Sequence, residues 1–556
     1  MNLSKTFVAL LALSLQSAPP GAIAQPRPPS PLDHDLLEVT IPQLETYYGT
    51  HKYTVTQVVR WHLDRIHKYN GVYGAFEYVD ESAALATAAR EDAAGPGIQR
   101  GPLWGVPIVI KENTSVRGLI TSDGWKGYVL PGHELVAPRD AAVVARLRAA
   151  GAIILGKSNM PDFAASDTNR SSAYGRTGNA YDVRFSPGGS SGGTVTAVTA
   201  NMALLGNGTD TGNSIRMPAA TSAVVGVFPT RGLVSIAGIA PLDWLLDNTG
   251  PIARNVTDAA IALTVMAGED PGDPATLGSA HHAQPGPYTK YLQRDALRGK
   301  RFGVPAFLLE GAGIPFQGIP SSETAEKAAA DRDTARLPLH PETRAAFLRA
   351  VEALRAAGAT VVFDDSILPD SFAEVASRIG TRPYIREGTE NFLRDYGPPH
   401  YHSPQEYEKA VGSPLPATIL GDADQVRFES NPQAEADVLE PRRRTLATYE
   451  NTLDRLHLDG YVYPATQMPP PDETMPQNGE LSSGPHSDTG WVNMIGVPAV
   501  VVPAGFYPTG LPFGLEISTR RWHDGDLLGW AYAFEQATHL RRPPVMVKQG
   551  LLPINH

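Results

Sequence analysis

The feature that most constrains the fold is a helix-to-strand unit that occurs twice. Segments 140–157 (DAAVVARLRAAGAIILGK) and 344–363 (RAAFLRAVEALRAAGATVVF) both place apolar residues at helical spacing before a glycine and a short apolar run. A continuously apolar strand after such a helix is typical of a sheet that is buried on both faces. The units therefore predict a layered α/β fold with a largely parallel or mixed sheet.

Two further segments fit this layered fold. GVPIVIK (105–111) is predicted to be a buried strand that ends in a lysine. Segment 54–69 has apolar residues at helical spacing and meets Asn70-Gly71, so we expect a covering helix that ends there.

Composition excludes several classes of protein. The 556-residue chain is 42% hydrophobic and 19% charged, as expected for an ordinary globular protein with enough apolar material for a core. Its formal net charge of −11 argues against a general nucleic-acid binder, which needs a basic face. The chain has no cysteine, so it can form neither a disulfide nor a thiolate metal site.

Residues 1–24 have the pattern of a secretory signal peptide. Lys5 precedes the apolar run 7–15 (FVALLALSL), and Ala22-Ile23-Ala24 forms an A-x-A cleavage site. The run is shorter than the roughly 20 residues that span a bilayer. We therefore expect an exported, periplasmic or secreted protein without stable membrane insertion after cleavage, and a Pro-rich leader over residues 25–34.

Three segments carry the residues for chemistry: GVPIVIKEN (105–113) with Lys111, PGGSSGG (187–193) with Ser190, and GNGTDTGNSIRMPAA (206–220) with Ser214. Two hydroxyls and one amine supply a nucleophile, a proton relay and a base, which suits acyl transfer without a metal or organic cofactor. The glycines allow backbone conformations in which amide N–H groups converge on an oxyanion.

These segments resemble the amidase signature family, whose members hydrolyse amides through a Ser-cisSer-Lys triad. The resemblance continues through 151–164, 248–260, 496–505 and 510–537, and so spans nearly all the chain beyond residue 35. It implies one catalytic domain over residues 35–550, with a central mixed β-sheet covered by helices on both faces. The polar stretches 268–287 and 311–338 are then insertions within this domain.

The resemblance also implies a role for each site residue. Ser214 is the nucleophile, Ser190 is the relay after a cis Gly189–Ser190 peptide bond, and Lys111 is the base. The oxyanion hole is formed by the backbone N–H groups of Thr211, Gly212, Asn213 and Ser214. Asp210 and Arg216 hold the loop as scaffold. Asn213 stands where the family has a glycine, so the backbone angle φ at this position matters.

A lysine can act as a base only when its amine is neutral. The free side chain has a pKa of about 10.4 and is almost fully charged at pH 7. Burial behind Ile108 and Ile110, with hydroxyls as partners, would lower this pKa by desolvation. We therefore expect Lys111 to take a proton from Ser190 as Ser190 takes one from Ser214, so that an amide C–N bond is hydrolysed through an acyl-Ser214 intermediate.

The expected substrate is a small-molecule or peptide amide, since the layout is most similar to exported bacterial peptide amidases. Thr121, Ser122, Asp123 and the irregular segment 464–488 are candidates for the pocket lining. No metal, no cofactor, no nucleic acid and no obligatory partner subunit is expected. The amidotransferase component that acts on charged tRNA shares the signature, but the signal peptide and the acidic composition disfavour it.

Other functions remain open at this point. The same triad serves esterases and carbamate hydrolases (urethanases). Gly189–Gly193 also fits the G-x-S-x-G nucleophile elbow, which would make Ser191 the nucleophile of an α/β-hydrolase, although 180–188 is polar and broken by proline. A non-catalytic exported binding protein is the third alternative. The pairs His281-His282 and His400/His402 are interpreted as surface histidines, not metal ligands.

Overall fold

The structure is a computed structural model that describes residues 31–95, 100–310, 339–421, 425–474 and 484–551. The predicted signal peptide, most of the predicted leader and the predicted insertion 311–338 lie outside the described residues, as does the middle of segment 464–488.

The strands are β1 (Phe76–Val79), β2 (Pro107–Lys111), β3 (Ile153–Ser158), β4 (Arg170–Ser171), β5 (Gly175–Arg176), β6 (Leu205–Asp210), β7 (Val225–Phe228), β8 (Asn248–Ala253), β9 (Arg301–Val304), β10 (Thr360–Phe363), β11 (Gly460–Pro464), β12 (Ala499–Phe506) and β13 (Pro512–Ser518).

The helices of the first half are α1 (Pro31–Leu36), α2 (Ile41–Gly49), α3 (Val55–Tyr73), α4 (Glu81–Ala94), α5 (Ala142–Ala149), α6 (Gly192–Thr199), α7 (Arg216–Thr221), α8 (Val256–Met266) and α9 (Ser279–His282). Those of the second half are α10 (Ala306–Glu310), α11 (Pro341–Ala356), α12 (Asp370–Ser377), α13 (Ile385–Tyr396), α14 (Pro404–Val411), α15 (Ala417–Leu420), α16 (Glu440–Arg455), α17 (Trp491–Ile495), α18 (Asp524–Thr538) and α19 (Val545–Lys548).

Within the described ranges, eleven strands form one mixed sheet in the order β1-β3-β2-β6-β8-β7-β12-β13-β11-β9-β10, and β4 and β5 form a separate antiparallel pair. The neighbours β3, β2 and β6 run parallel, as do β11, β9 and β10, whereas the strands between these two groups pair antiparallel. The sheet runs through the whole domain, so the predicted mixed α/β architecture is confirmed.

Helices cover both faces of this sheet. Val500 and Val502 on β12 join a large hydrophobic core that includes residues of α8, α11 and α18. Val501 between them joins a second core with residues of α6 and α7. Because successive side chains of a strand point to opposite faces, the two cores lie on opposite sides of the sheet. The predicted helix layers on both faces are therefore confirmed, and the α6–α7 layer carries the serine loops.

Both predicted helix-to-strand units form as expected. The first gives α5 and β3, and the second gives α11 and β10. Gly151 in the first unit has φ +89°, and an added Cβ there would lie 2.7 Å from the backbone Cα of Trp104. The turn therefore requires glycine, because an L side chain would be strained and would clash.

The end of the covering helix was predicted too early. A capping box of Thr54 and Gln57 begins α3, which continues through Gly71 to Tyr73 and ends at Gly74, where φ is +60°. Tyr73 is fully buried, so its packing offsets the roughly 1 kcal/mol that a mid-helix glycine costs. Gly74 supplies the left-handed residue that commonly ends a helix.

The described residues begin inside the segment expected to be leader. Helix α1 starts at Pro31, Asp33 accepts a hydrogen bond of 2.8 Å from Trp61 Nε1, and Leu36 is buried in the core. Across the described ranges, no helix combines the length and the apolar character that crossing a membrane requires.

Candidate active site

The lysine and the two serines meet where neighbouring strands end. Lys111 is the last residue of β2, and the parallel strand β6 beside it ends at Asp210. Because parallel strands place their carboxyl ends at the same edge, both loops that follow open to the same region. Ser190 and Ser191 lie just before α6 and Ser214 just before α7, and Ser191 N donates to Ser214 O at 3.2 Å. The structure thus brings the three predicted segments together.

Four oxygen atoms surround the amine of Lys111. Its Nζ lies 2.7 Å from Ser190 Oγ, 3.0 Å from Ser191 Oγ, 2.8 Å from Thr209 Oγ1 and 3.3 Å from Thr209 O. The side chain is completely buried. No ion pair joins Lys111 to a carboxylate within the described part of the chain. The amine therefore depends on neutral oxygen partners, which is the environment expected of a neutral base.

Burial lowers the pKa of Lys111 to about 7. Desolvation is the largest cause, because a charged amine inside the protein loses its hydration. The negative charges of Asp210, Asp123 and Asp247 oppose this shift. A large fraction of the amine is therefore neutral near pH 7, in contrast to an ordinary lysine.

The side chains of Ser190 and Ser214 are not hydrogen-bonded to each other in the described residues. The Gly189–Ser190 peptide bond is cis, as the family resemblance implied. However, no hydrogen bond joins Ser190 Oγ to Ser214 Oγ among the residues that the structure describes. Ser214 is 7% exposed, whereas Ser190 is fully buried, so Ser214 is the serine that a substrate can reach.

The backbone donors predicted for the oxyanion hole lie in the turn between β6 and α7. Within the described ranges, none of the N–H groups of residues 211–214 donates to a protein acceptor. By contrast, the next two N–H groups, of Ile215 and Arg216, are bound by Asp210 Oδ2 at 2.9 and 3.4 Å. The four preceding donors are therefore available to a developing negative charge.

Asp210 and Arg216 form a buried charge network under this turn. Arg216 Nε donates to Asp210 Oδ2 at 3.1 Å and Nη1 donates to Glu516 Oε1 at 2.8 Å, with all three side chains fully buried. Arg216 Nη2 also donates to the carbonyl of Gly212 at 2.8 Å. Burial alone would lower the pKa of Arg216, but the two carboxylates raise it above its usual range. This network therefore holds the turn in place.

Replacing Arg216 with leucine is expected to destabilise the fold by about 3–5 kcal/mol, because Asp210 and Glu516 would remain buried without a cation. The free energy of unfolding in urea measures this effect. The matched control is Arg184→Leu, since the Arg184–Asp182 pair is largely exposed and contributes about 1 kcal/mol or less. Equal losses in the two variants would contradict the scaffold role.

Asn213 needs no unusual backbone conformation. Asp123 and Phe163 are two of the described non-glycine residues that have positive φ, and Asn213 is not one of them. Its Nδ2 donates to Asp167 Oδ1 at 3.4 Å, and its carbonyl accepts from Met217 N at 2.8 Å. The exchange of the family glycine for asparagine therefore adds a side-chain contact without strain.

The candidate pocket residues lie near Lys111 and near the turn that holds Ser214. Thr121, Ser122 and Asp123 are all buried, and Ser122 N donates to a carboxylate oxygen of Glu112, the residue after Lys111. In segment 464–488, an added Cβ at Gly484 would lie 2.7 Å from Asp167 Cβ. Because Asp167 contacts Asn213, this end of the segment borders the turn that holds Ser214.

Sequence patterns did not reveal several residues of the site. Thr209 accepts from Lys111, and Asn113 Nδ2 donates to Thr209 Oγ1 at 3.1 Å. Asp247 accepts from Thr211 Oγ1 at 2.5 Å and from Asp243 N at 3.2 Å. The pairing of β2 with β6 would have indicated Thr209, since residues near the ends of neighbouring parallel strands lie side by side. Asp247 carries no such signal.

The structure does not support the nucleophile elbow that the G-x-S-x-G motif suggested. No strand precedes Ser190 and Ser191 between residues 180 and 189, whereas a nucleophile elbow needs one. His281 and His282 are exposed residues of α9. Among the described residues, no group of three or more His, Asp and Glu side chains could hold a metal ion.

The fold and this arrangement of serines and lysine define the class of protein as a hydrolase. More narrowly, the chain belongs to the Amidase family, whose sequence model matches residues 57–528. It is thus an amide-hydrolysing enzyme, as the resemblance predicted.

Individual relatives agree with this family over nearly the whole chain. The A subunit of glutamyl-tRNA(Gln) amidotransferase from Aromatoleum aromaticum is 31% identical over 543 residues, covering 92% of this chain and 100% of that protein. The solved structure of peptide amidase from Stenotrophomonas maltophilia is 30% identical with a TM-score of 0.71, covering 91% of this chain and 98% of that one. A 6-aminohexanoate cyclic dimer hydrolase, 23% identical with a TM-score of 0.69, shares the fold.

Proposed function

We propose that the enzyme hydrolyses a carboxylic amide through a covalent acyl-Ser214 intermediate, with Ser190 and Lys111 as a proton relay. The observation that carries this proposal is the contact of 2.7 Å between a fully buried Lys111 amine and Ser190 Oγ. Two neighbouring contacts, to Ser191 Oγ and Thr209 Oγ1, occupy the N–H bonds of a neutral amine. Its remaining lone pair then faces Ser190.

In the first half of the reaction, Ser214 Oγ attacks the carbonyl carbon as its proton passes to Ser190 and the proton of Ser190 passes to Lys111. The contact between the two serine hydroxyls forms when substrate binds, since catalytic hydrogen bonds are often long in a free enzyme. The carbonyl oxygen becomes negative and accepts bonds from the N–H groups of residues 211–214.

The relay then runs in reverse. Ser190 gives a proton to the departing nitrogen and regains one from Lys111, the C–N bond breaks, and ammonia or an amine leaves. Water attacks the acyl carbon and gives a proton to the same relay; the bond between Ser214 Oγ and the acyl group breaks, the relay returns that proton to Ser214 Oγ, and a carboxylic acid leaves as the second product. In the first half the proton of Ser214 leaves with the nitrogen, and in the second half a proton of water replaces it, so Ser190 and Lys111 end each half in their starting protonation states.

The proposed substrate is a peptide or amino-acid carboxamide. Similarity to a peptide amidase over 98% of that chain supports this choice. The amidotransferase relatives support an alternative, in which the chain works on an amide inside a larger assembly. Esters and carbamates are further candidates, because Ser190 can protonate a departing oxygen as well as a nitrogen. We also keep export through residues 1–24 as a proposal, tested by cell fractionation and N-terminal sequencing.

A substrate panel tests the proposal. The purified chain alone is incubated with a peptide amide, an anilide, an ester and a carbamate of the same acyl group, and ammonia, amine or alcohol release is measured. We expect ammonia from the peptide amide without any added protein. Turnover of the ester alone would favour the esterase alternative, and amide turnover only with a co-purified partner would favour the larger assembly.

A further inference from the structure

The turn Thr121–Gly124 lies beside the active site and is held by many internal hydrogen bonds. Thr121 N donates to Leu135 O at 2.8 Å, Gly124 N donates to Ser122 Oγ at 3.1 Å, and Gly124 O accepts from Ser171 Oγ at 2.6 Å. The backbone oxygen of Asp123 accepts from Phe163 N at 2.7 Å. The backbone of the turn is therefore fixed from several sides.

The exception is the carboxyl group of Asp123. The residue is 2% exposed, its Oδ1 is fully enclosed, and no described residue donates a hydrogen bond to either carboxyl oxygen. Leaving a buried polar group without a partner costs free energy, so such a group in a native protein needs an explanation. Asp123 also has φ +49°, a conformation that costs energy and that concentrates at functional sites.

The position of this carboxyl group ties it to the reaction. Asp123 is near enough to Lys111 and to Asp247 for the charges of both groups to affect its carboxyl group. Asp247 in turn holds the side chain of Thr211, at the start of the turn before Ser214. The orphan carboxyl group therefore lies near both the proton relay and the proposed oxyanion hole.

The protonation state of the Asp123 carboxyl group limits which kind of ligand group can bind it. Burial raises the pKa of Asp123 well above its usual range, repulsion from Glu112 and Asp247 adds to this shift, and Lys111 opposes it. A neutral carboxyl group has one donor and one acceptor oxygen, and an ionised one has two acceptors. A ligand group that donates a hydrogen bond, such as an N–H, can therefore pair with Asp123 in both states.

We propose that Asp123 determines specificity by accepting a hydrogen bond from an N–H group on the acyl part of the substrate, next to the scissile carbonyl. This inference rests on the proposed function and names its substrate class: amides of amino acids and peptides, which carry such an N–H. Aromatic rings beside the turn, Trp125 and Phe163 with centroids 5.3 Å apart, suit a neighbouring apolar side chain.

A pair of isosteric substrates tests the proposal. N-acetyl-L-phenylalaninamide carries the N–H, and the analogue with an ester oxygen in its place, 2-acetoxy-3-phenylpropanamide, does not; both release ammonia. We expect wild-type kcat/KM to favour the N–H substrate by about 10-fold or more, because a site built around a hydrogen bond rejects an analogue that lacks it. Free L-phenylalaninamide distinguishes an ammonium donor from an amide donor.

Two variants assign this preference to Asp123. Asp123→Gly removes the carboxyl group and tolerates φ +49°, so the preference should fall to about 1. Asp123→Asn keeps an acceptor oxygen and a residue that tolerates positive φ, so it should retain most of the preference. The control is Asp162→Asn, a nearby carboxylate whose Oδ1 accepts from Ser172 N. The preference of Asp162→Asn for the N–H substrate should match that of the wild type.

Either of two results would overturn the proposal: a wild-type enzyme without preference for the N–H substrate, or a preference that survives unchanged in Asp123→Gly. The first needs no variant and so does not depend on whether a variant folds. If the proposed mechanism is wrong, Ser214→Ala retains ammonia release from both substrates. This variant therefore distinguishes a failure of the mechanism from a failure of the proposal for Asp123. A preference in the wild type together with an active Ser214→Ala enzyme would reject the mechanism but not the role of Asp123.

Discussion

Replacing Ser214 with alanine is expected to lower kcat for amide hydrolysis by at least about 10⁴-fold, because the attacking oxygen is lost. The fold should remain intact, since Ser214 Oγ makes no described hydrogen bond and a small polar group is replaced by a smaller apolar one. Ammonia release from a peptide amide measures the activity, and the thermal midpoint Tm of each protein checks the fold.

The control for this prediction is Ser191→Ala. Ser191 Oγ also contacts Lys111, at 3.0 Å, and it is the nucleophile in the alternative based on the G-x-S-x-G motif. We expect a loss of only about 10-fold, because this hydroxyl orients the amine and does not attack the substrate. A larger loss in Ser191→Ala than in Ser214→Ala would replace the proposed nucleophile by Ser191.

Replacing Lys111 with methionine is expected to lower kcat/KM by about 10³–10⁴-fold, because both proton transfers lose their base. In the wild type, kcat/KM should rise with pH through an inflection near 7, since only the neutral amine is active and burial lowers its pKa to about 7. Residual activity of Lys111→Met should lack this inflection. Hydrolysis rates between pH 5.5 and 9 measure both effects.

The same variant should be more stable than the wild type. The amine binds a proton with a pKa near 10.5 when exposed and about 7 when buried, so the unfolded chain holds more protons between these values. The contribution of this amine to the free energy of unfolding therefore rises with pH across this range. The free-energy cost of burying the amine is largest at and below pH 7. We expect Tm of Lys111→Met to exceed wild type by at least about 2 °C at pH 6.5, with a smaller gap at pH 9.

An equal or lower Tm for Lys111→Met at pH 6.5 would contradict a buried, desolvated amine. The combination of higher stability and lost activity is expected at functional sites, where a group is held in a state that folding alone would disfavour.

The parts of the fold that follow from local physics could be predicted from the sequence. The segment that forms α5 and β3 shows its helical spacing, its glycine turn and its apolar strand directly in the order of residues. Lys111 could be placed at a strand end for the same reason. The end of α3 could not, because Gly71 is a typical stop and only the tertiary packing of Tyr73 extends the helix past it.

The candidate site also contains residues that could be predicted from the sequence and residues that could not. Ser190, Ser214 and Lys111 stand in segments whose glycines and spacing resemble the family. Thr209 and Asp247 became visible only when strand pairing and loop packing brought them to Lys111 and Thr211. Asp123 was expected in the pocket, but its lack of a partner is a property of the packed turn that no sequence pattern reports.

The central claim is that the amine at position 111 titrates near pH 7, so that a large fraction of it is neutral there, and nuclear magnetic resonance of lysine Cε atoms tests this claim most directly. Protein labelled with ¹³C at lysine Cε is titrated from pH 5.5 to 10.5, in parallel with Lys111→Met. We expect one resonance with a pKa near 7 that is missing from the variant. If all lysine resonances of the wild type titrate above pH 9, Lys111 is charged at neutral pH and cannot be the base of the reaction.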